Sequence, residues 1–300
     1  MGALRPLEGS LRGLYTSSTQ GRTPRLRFSG ALRPATRSCF PTCYDIPLSF
    51  PVALSSLTCI LTNVRKEIVD RLRDLNRRFY DGFARAFSDS RGSTEPGLER
   101  ILRMTRPGDR VLDLGCGQGR VALLLPAGCT YVGLDFSAEM LALARDRTAT
   151  ASIQTRYVVG DLLDEAWPVA GDDFCEWIIL RAVLHHIPGL KNRLGILKHA
   201  AGLLAPGGRL ILANWQFLEI ERLRRRLLPW AALGLSSEDI EAGDYLLDWQ
   251  REGCGLRYVH WVDEAETQYL AQATGLHIEA LFRADGHNNN LTLYAVLRFP

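Results

Sequence analysis

Three acidic residues in the middle of the chain each belong to a short, mostly apolar run. Asp113 lies in VLDLG, Asp135 in VGLDFS and Asp161 in VVGDLL. Such runs, separated by segments with helical spacing, are typical of the strands of a parallel sheet. Because ligands of these sheets bind beyond the carboxyl ends of the strands, we expect the three carboxylates to face one site.

A glycine-rich turn follows the first of these strands. The stretch DLGCGQG places glycine at positions 115, 117 and 119. A dinucleotide-binding turn would read GxGxxG, with the pyrophosphate at the helix N-terminus. Here the third glycine comes one position early and Asp113 precedes the turn. Because a carboxylate there would repel a phosphate and attract an ammonium group, the turn predicts a ligand with a cationic amino-acid end.

The other two acids indicate the rest of the ligand. Asp135 ends the second strand, where a carboxylate can accept both ribose hydroxyls of a nucleoside. Asp161, beside the apolar Leu162, suits the exocyclic amine of an adenine. Each acid taken alone is more often a turn former or a helix cap. Together they describe a molecule with an amino-acid head, a ribose and an adenine, which is S-adenosylmethionine.

The elements that position these residues follow from periodicity. Residues 64–91 have the spacing of one or two amphipathic helices, and a second helix follows with Ser93 or Thr94 as its cap. A short helix is expected after Gly119, and a Pro206-Gly207-Gly208 turn before the fifth strand. The last two strands are joined by GHNNN. We therefore predict an α/β fold, a Rossmann-like doubly wound seven-stranded sheet with an antiparallel C-terminal hairpin strand.

Residues 107–214 resemble a class I S-adenosylmethionine-dependent methyltransferase. The motifs that carry the resemblance are VLDLGCGQGR, VGLDFSAEML, VVGDLL, ILRAVLHHI and LLAPGGRLIL. The resemblance implies a set of cofactor-binding residues: Asp113, Gly115 and Gly117 around the methionine part, Asp135 on the ribose, Asp161 and Leu162 at the adenine, Arg181 at the end of the fourth strand, and Phe136.

The flanking segments resemble a narrower family, which esterifies carboxymethyl groups on tRNA wobble uridines and includes the domain attached to an AlkB-type dioxygenase. The similar stretches are LNRRFYDGFARAFSDSRGSTEPGL, AVLHHI, AGDYLLDWQ with LRYVHWVDEAE, and ALFRADGHNNNLTLYAVLR. The chain departs from that family at GHNNN, where relatives tend to have an aromatic-containing turn. The resemblance implies a tRNA substrate, a small accessory protein subunit and no metal. A small-molecule carboxyl or O-methyltransferase is the alternative.

A carboxylate acceptor is already ionised at neutral pH, so its methylation needs alignment and desolvation but no general base. The candidates for holding such an acid are Arg91, His185, His186, His260 and Arg283. We expect Arg91 or His186 to hold it. A hydroxyl or amine acceptor would instead need one of the histidines as a base.

A basic segment, LEIERLRRRLLPW, lies within residues 215–258, which we predict to form a lid insertion. It contains Arg222, Arg224, Arg225 and Arg226 and is flanked by Trp215 and Trp230. Basic residues interleaved with aromatics suit phosphate contact and base stacking. An exposed helix face explains the arginines equally well.

The composition of the chain limits which other classes of protein it can belong to. The net charge of +3 is too small to indicate nucleic-acid binding by itself. Seven cysteines without CxxC spacing suggest neither a disulfide framework nor a zinc site and fit a reducing compartment, so we expect a cytoplasmic protein. The apolar stretch near residues 46–64 is too interrupted to span a membrane.

The first 63 residues differ from the rest of the chain. Seven arginines face only two acids there, Glu8 and Asp45, without long periodic runs. This composition fits a disordered tail, a transit peptide or translated upstream sequence. We expect a disordered extension over 1–63 and a methyltransferase domain over 64–300.

Overall fold

The computed structural model describes residues 64–90, 95–168, 174–250 and 253–300, all of which belong to one unit of the chain. Three predictions fall outside these ranges: the extension over 1–63, the role of Arg91, and the helix cap at Ser93 or Thr94.

Two helices precede the first strand. Helix α1 spans Lys66–Asp89 as one helix with a kink at Phe83, where φ is −121° and ψ is 18°. Its buried apolar residues recur at helical spacing because that face packs on the rest of the fold. Helix α2 spans Pro96–Leu102, and its N-cap position is Glu95.

The main sheet has seven strands in the order β3-β2-β1-β4-β5-β10-β9. Their bounds are β1 Arg110–Leu114, β2 Thr130–Asp135, β3 Gln154–Val159, β4 Cys175–Arg181, β5 Leu204–Trp215, β9 His277–Ala284 and β10 Thr292–Arg298. β1 to β5 are parallel, whereas β10 pairs antiparallel with both β5 and β9. The predicted fold class, including the C-terminal hairpin strand, is confirmed.

Helices cover both faces of this sheet. They are α3 Ala138–Thr148, α4 Leu190–Gly202 and α6 Glu264–Ala273. Ser137 caps α3 by accepting a hydrogen bond from the Met140 N–H, as serine does at helix starts. Two apolar clusters fill the space between the layers; Leu112 belongs to one and Val111 to the other, since alternate strand residues point to opposite faces.

The short helix predicted after Gly119 is present as a 3-10 helix, Val121–Leu124. One local prediction needs correction. The Pro206-Gly207-Gly208 segment lies within β5 and does not precede it. Gly207 has φ of 77°, so the strand is irregular there without ending.

The segment predicted as a lid contains a second, three-stranded sheet in the order β6-β7-β8. Its elements are α5 Glu221–Arg224, β6 Leu227–Leu228, β7 Asp244–Trp249 and β8 Gly255–His260. β8 packs on α1, where Asn76 accepts a hydrogen bond from the Tyr258 N–H at 2.9 Å and donates one to its carbonyl at 3.1 Å. The role of a lid stays a prediction. Among the described residues, no helix combines the length and apolar character needed to cross a bilayer.

Candidate functional site

A cavity of about 990 Å³, called the first cavity, opens at the carboxyl ends of β1, β2 and β4. Eight of the predicted site residues lie on its wall: Gly115, Gly117, Asp135, Phe136, Asp161, Leu162, Arg181 and His186. They come together because parallel strands end at the same edge of the sheet. Helix α1 forms another part of the wall through Arg73, Arg77 and Tyr80.

The glycine turn is tightly packed on its neighbours. Gly115 has φ of 73°, and a Cβ there would lie 2.5 Å from Cγ2 of Val183. At Gly117, with φ of 53°, a Cβ would lie 3.2 Å from the Met140 side chain. Both residues line the first cavity. The missing side chains therefore let backbone form the cavity floor.

Asp135 is held in place by the backbone. Its Oδ2 accepts a hydrogen bond from the Gly117 N–H at 2.8 Å, and its Oδ1 accepts one from the Ser137 N–H at 2.9 Å. Burial raises the pKa of Asp135 to about 6, against the opposing effect of these two bonds. Since each carboxylate oxygen accepts more than one bond, Asp135 retains capacity to bind a ligand's hydroxyls.

Asp113 is buried and is absent from the wall of the first cavity. Its Oδ2 accepts a hydrogen bond from the Tyr131 hydroxyl at 2.7 Å, while Oδ1 has no hydrogen-bond partner among the described residues. Burial raises its pKa to about 6, although Tyr131 and the charge of Arg181 oppose this. An unpartnered carboxylate oxygen two residues before Gly115 favours a cationic ligand there.

Asp161 is hydrogen-bonded to protein groups that the sequence did not predict as its partners. Its Oδ2 accepts hydrogen bonds from Arg73 Nε at 2.6 Å and Arg77 Nη2 at 2.8 Å, and its Oδ1 accepts one from the Leu163 N–H at 2.9 Å. The two arginines are both on α1, so the carboxylate joins α1 to the end of β3. An adenine amine would have to share this carboxylate with them.

The two adjacent histidines face different surroundings. His186 lines the first cavity, with Nε2 at 2.7 Å from the Tyr80 hydroxyl and Nδ1 at 3.2 Å from the Tyr258 carbonyl. This pattern is satisfied by a neutral ring protonated on Nδ1. His185 instead lines a second cavity. His186 therefore faces the first cavity and His185 the second, and the expectation that His186 faces the substrate stays a prediction.

Two other candidate acid holders are engaged elsewhere. Arg283 is exposed on β9 and pairs with Glu219. His260 is buried, with Nδ1 2.7 Å from Asp244 and Nε2 2.8 Å from Glu266. Glu241, Asp244 and His260 have ligand-type atoms within 4.8 Å of one another. Arg193 pairs with Glu241 and Glu266, so this group forms an ion-pair network of opposite charges.

The second cavity, of about 1120 Å³, adjoins the first. Arg181 and Ala182 line both cavities and thus mark their junction. Ala182 has φ of 59° and donates its N–H to the Ala213 carbonyl at 2.8 Å. A positive φ outside glycine is costly and is found mostly at functional sites.

Arg257 is a buried cation that the sequence analysis missed. Its guanidinium carbon lies 4.8 Å from the centroid of the Phe79 ring and 5.5 Å from that of Trp249. Nε and Nη1 have no hydrogen-bond partner among the described residues, and burial lowers its pKa. The aromatic rings offset part of the desolvation cost through cation–π contact. A single arginine in LRYVH gives no indication in the sequence that rings from α1 and β7 surround it.

The arginines of the basic segment differ in their partners. Arg225 pairs with Glu221, and Arg226 pairs with Asp248 at 3.2 Å. Arg222 and Arg224 are exposed and form no ion pair within the described ranges. Half of the cluster is therefore available to a polyanion.

Comparison with known proteins agrees with this geometry. Residues 111–208 match the family described as "Methyltransferase domain". The chain is 29% identical over 154 residues to Probable tRNA methyltransferase 9B of Homo sapiens, a match covering 50% of this chain and 32% of the relative. It is 30% identical over 155 residues to tRNA (carboxymethyluridine(34)-5-O)-methyltransferase ALKBH8 of Mus musculus, covering 52% of this chain and 22% of the relative.

Among solved structures, the fold is similar to that of magnesium protoporphyrin IX methyltransferase from Synechocystis with bound SAH. The TM-score is 0.53 at 18% identity, with 76% of this chain and 99% of that chain covered. The chain thus spans about a third or less of the two curated relatives and nearly all of this structural neighbour. The predicted resemblance to methyltransferases is confirmed for residues 111–208, whereas the predicted domain bounds of 64–300 stay a prediction.

Proposed function

We propose that the protein is an enzyme that uses S-adenosylmethionine to methylate a carboxylate on a modified tRNA wobble uridine. The premise is the match of residues 111–208 to a methyltransferase domain family. The observation that carries the cofactor assignment is the first cavity, where the glycine turn and the Asp135 carboxylate share one wall and Asp113 lies behind the turn.

The residues present fit this cofactor. The buried Asp113 Oδ1, which lacks a partner among the described residues, suits the ammonium of the methionine part. Asp135 suits the ribose hydroxyls, and Phe136 and Leu162 provide apolar wall for the adenine. When bound, S-adenosylmethionine supplies a methyl group on a positively charged sulfur.

The acceptor assignment is supported by the chemistry beside the cavity junction. Arg181 lies at the junction, and both ring nitrogens of His186 have partners. A site with a cation and an engaged histidine suits a nucleophile that is already ionised better than one needing a base. The two curated relatives are named for tRNA methylation, one of them for a carboxymethyluridine.

The exposed arginines of the basic segment support a nucleic-acid partner. Arg222 and Arg224 lie in the same insertion as β8, which contacts the 3-10 helix Leu184–His186. Exposed guanidinium groups close to a site can bind the phosphates of a polyanionic substrate. Such contacts would hold a tRNA while one nucleoside enters the site.

The test offers labelled S-adenosylmethionine and bulk tRNA from cells that lack the enzyme, followed by nucleoside analysis. We expect label in a uridine derivative as a methyl ester that mild base removes. Asp135→Ala serves as the matched control, because it removes a cofactor contact without touching the acceptor. Label that enters only small organic acids supports the small-molecule alternative, and a base-stable methyl group on RNA excludes ester formation.

A further inference from the structure

The second cavity has the wall of a binding site. Its volume of about 1120 Å³ includes space that is open to solvent, so a ligand can enter it from outside. Its wall combines the half-buried Trp215, His185 next to it at 5.9 Å between ring centroids, and the polar side chains of Asn289 and Thr292. An indole face with nearby amide and hydroxyl groups suits a planar ring that carries hydrogen-bonding groups.

Charge is concentrated at the end of this cavity where it meets the first. Arg120 and Arg181 both pair with Glu95, at 3.4 Å and 3.1 Å. All three side chains are largely buried, with exposed fractions of 11%, 19% and 17% for Arg120, Arg181 and Glu95. One carboxylate thus pairs with both guanidinium groups, and the charge of the buried Asp113 acts on Arg181 as well. For Arg120, Glu95 is the only ion-pair partner within the described residues.

Asp285, the other acidic residue on the wall of the second cavity, is hydrogen-bonded to groups other than these arginines. Asp285 accepts hydrogen bonds from the Gly97 N–H at 3.0 Å and the Tyr294 hydroxyl at 2.6 Å. Burial lowers the pKa of Arg120, and the charges of Arg181 and Arg147 lower it further against the effect of Glu95. The surroundings of Arg120 therefore favour one more negative group.

We infer that the second cavity binds the acceptor as a planar ring with a short carboxylate side chain, and that Arg120 and Arg181 bind the carboxylate. Glu95 occupies the place of that carboxylate when no acceptor is bound. The inference rests on the proposed function and assigns the residues that select an acid. Arg181, which the motif comparison places beside the cofactor, thereby gains a contact with the acceptor.

The chemistry is balanced without a base. An oxygen of the bound carboxylate forms a bond to the methyl carbon as the bond between that carbon and sulfur breaks. The electron pair of the broken bond stays on sulfur, which becomes a neutral thioether. The carboxylate becomes a neutral ester and no proton moves. Because the ester lacks the negative charge of the acid, Arg120 and Arg181 bind it more weakly. Product release is thereby favoured.

The test measures binding by calorimetry to the full chain saturated with S-adenosylhomocysteine, with 5-carboxymethyluridine and uridine as probes. We expect the acid to bind at least tenfold more tightly than uridine. Arg120→Gln should reduce that preference below threefold. Arg103→Gln is the matched control, since Arg103 is an exposed arginine at the end of α2, outside both cavities.

Glu95→Gln tests the competition directly. The Glu95 side chain makes no capping hydrogen bond to the backbone of α2, so the amide costs the helix little. The variant should bind the acid at least threefold more tightly and uridine unchanged. Equal binding of the two probes, or weaker acid binding by Glu95→Gln, overturns the inference. Because S-adenosylhomocysteine binding is measured first, its absence counts against the proposed function, whereas cofactor binding without acid preference counts only against this inference.

Discussion

Arg73 on α1 donates a hydrogen bond from Nε to Oδ2 of Asp161 at 2.6 Å, across the mouth of the first cavity. The same arginine pairs with Asp164 at 2.8 Å, and Arg77 donates to the same Asp161 oxygen. These bonds fix α1 over the end of β3. The helix that precedes the sheet in sequence thus forms part of the wall of the first cavity.

Replacing Arg73 should therefore weaken cofactor binding as well as the packing of α1. We expect Arg73→Gln to lower affinity for S-adenosylhomocysteine about 3- to 10-fold, the range for losing a partly exposed charged hydrogen bond. Calorimetry measures the affinity. Arg78→Gln is the control, because Arg78 is exposed on the same helix. Equal effects of both variants would show that net charge, and not the contact, matters.

Asp135→Ala should weaken cofactor binding by about 1.5 to 3 kcal/mol, the range for a charged hydrogen-bond partner. Asp135→Asn should lose less, since an amide still donates to or accepts from a ribose hydroxyl. Thermal unfolding of both variants separates the loss of a ligand contact from the loss of the Gly117 and Ser137 hydrogen bonds. An unchanged affinity in Asp135→Ala would place the ribose contact elsewhere.

The affinity for cofactor should depend on pH near 6. Burial raises the pKa values of Asp113 and Asp135 to about 6, so both carboxyls become protonated as the pH falls through that value. The ionised forms bind an ammonium group and hydroxyls, so affinity should fall below pH 6, by up to about tenfold per pH unit for each of the two carboxyls. Above pH 7 the affinity should level off. Asp113→Asn should bind more weakly and show a flatter profile. Calorimetry between pH 5 and 8 tests this, and a constant affinity would exclude titration of either acid.

Some of the site was predictable because it depends on local sequence. The turn from Gly115 to Gly119, Asp135 and Leu162 all follow strands within a few residues, and strand order brings them together. The seven-stranded sheet follows from the same alternation of strands and helices. The sheet and these site residues can therefore be predicted without knowing which residues distant in sequence come into contact.

Other parts depend on distant contacts that no spacing indicates. Arg73 reaches Asp161 over 88 residues, and Arg257 lies among rings from α1 and β7. Which of the two adjacent histidine rings lines which cavity also depends on such contacts, here that of His186 with Tyr80.

The buried ion-pair network should make stability depend on pH in the alkaline range. Burial and the charge of Arg193 lower the pKa of His260, but hydrogen bonds to Asp244 and Glu266 outweigh them and raise it from 6.5 to about 9. Protonated His260 thus stabilises the fold fully below pH 6.5, and this contribution declines as the pH rises and is lost above about 9. Its full size is about 3 kcal/mol.

Urea unfolding of the wild type and of His260→Gln at pH 6, 7.5 and 9.5 measures that contribution. The free energy of unfolding should differ most at pH 6, and the difference should shrink by about 3 kcal/mol toward pH 9.5. The comparison isolates His260, because other titrating groups are common to both proteins. A difference that does not change with pH would mean that the buried ring is neutral throughout.

In the basic segment, arginines that form no ion pair within the described residues should contribute more to RNA binding than arginines that do. Arg222 and Arg224 form no ion pair within the described residues, whereas Arg225 and Arg226 are paired with Glu221 and Asp248. Each phosphate contact contributes about 0.7 to 0.9 to the slope of log affinity against log salt concentration. Replacing Arg222 and Arg224 together by Gln should therefore lower the slope for tRNA by about 1.4 to 1.8. The same change at Arg225 and Arg226 is the matched control and should lower it less. Fluorescence anisotropy with labelled tRNA between 50 and 200 mM salt gives both slopes, and equal slopes in the wild type and the first variant would place the phosphate contacts on another surface.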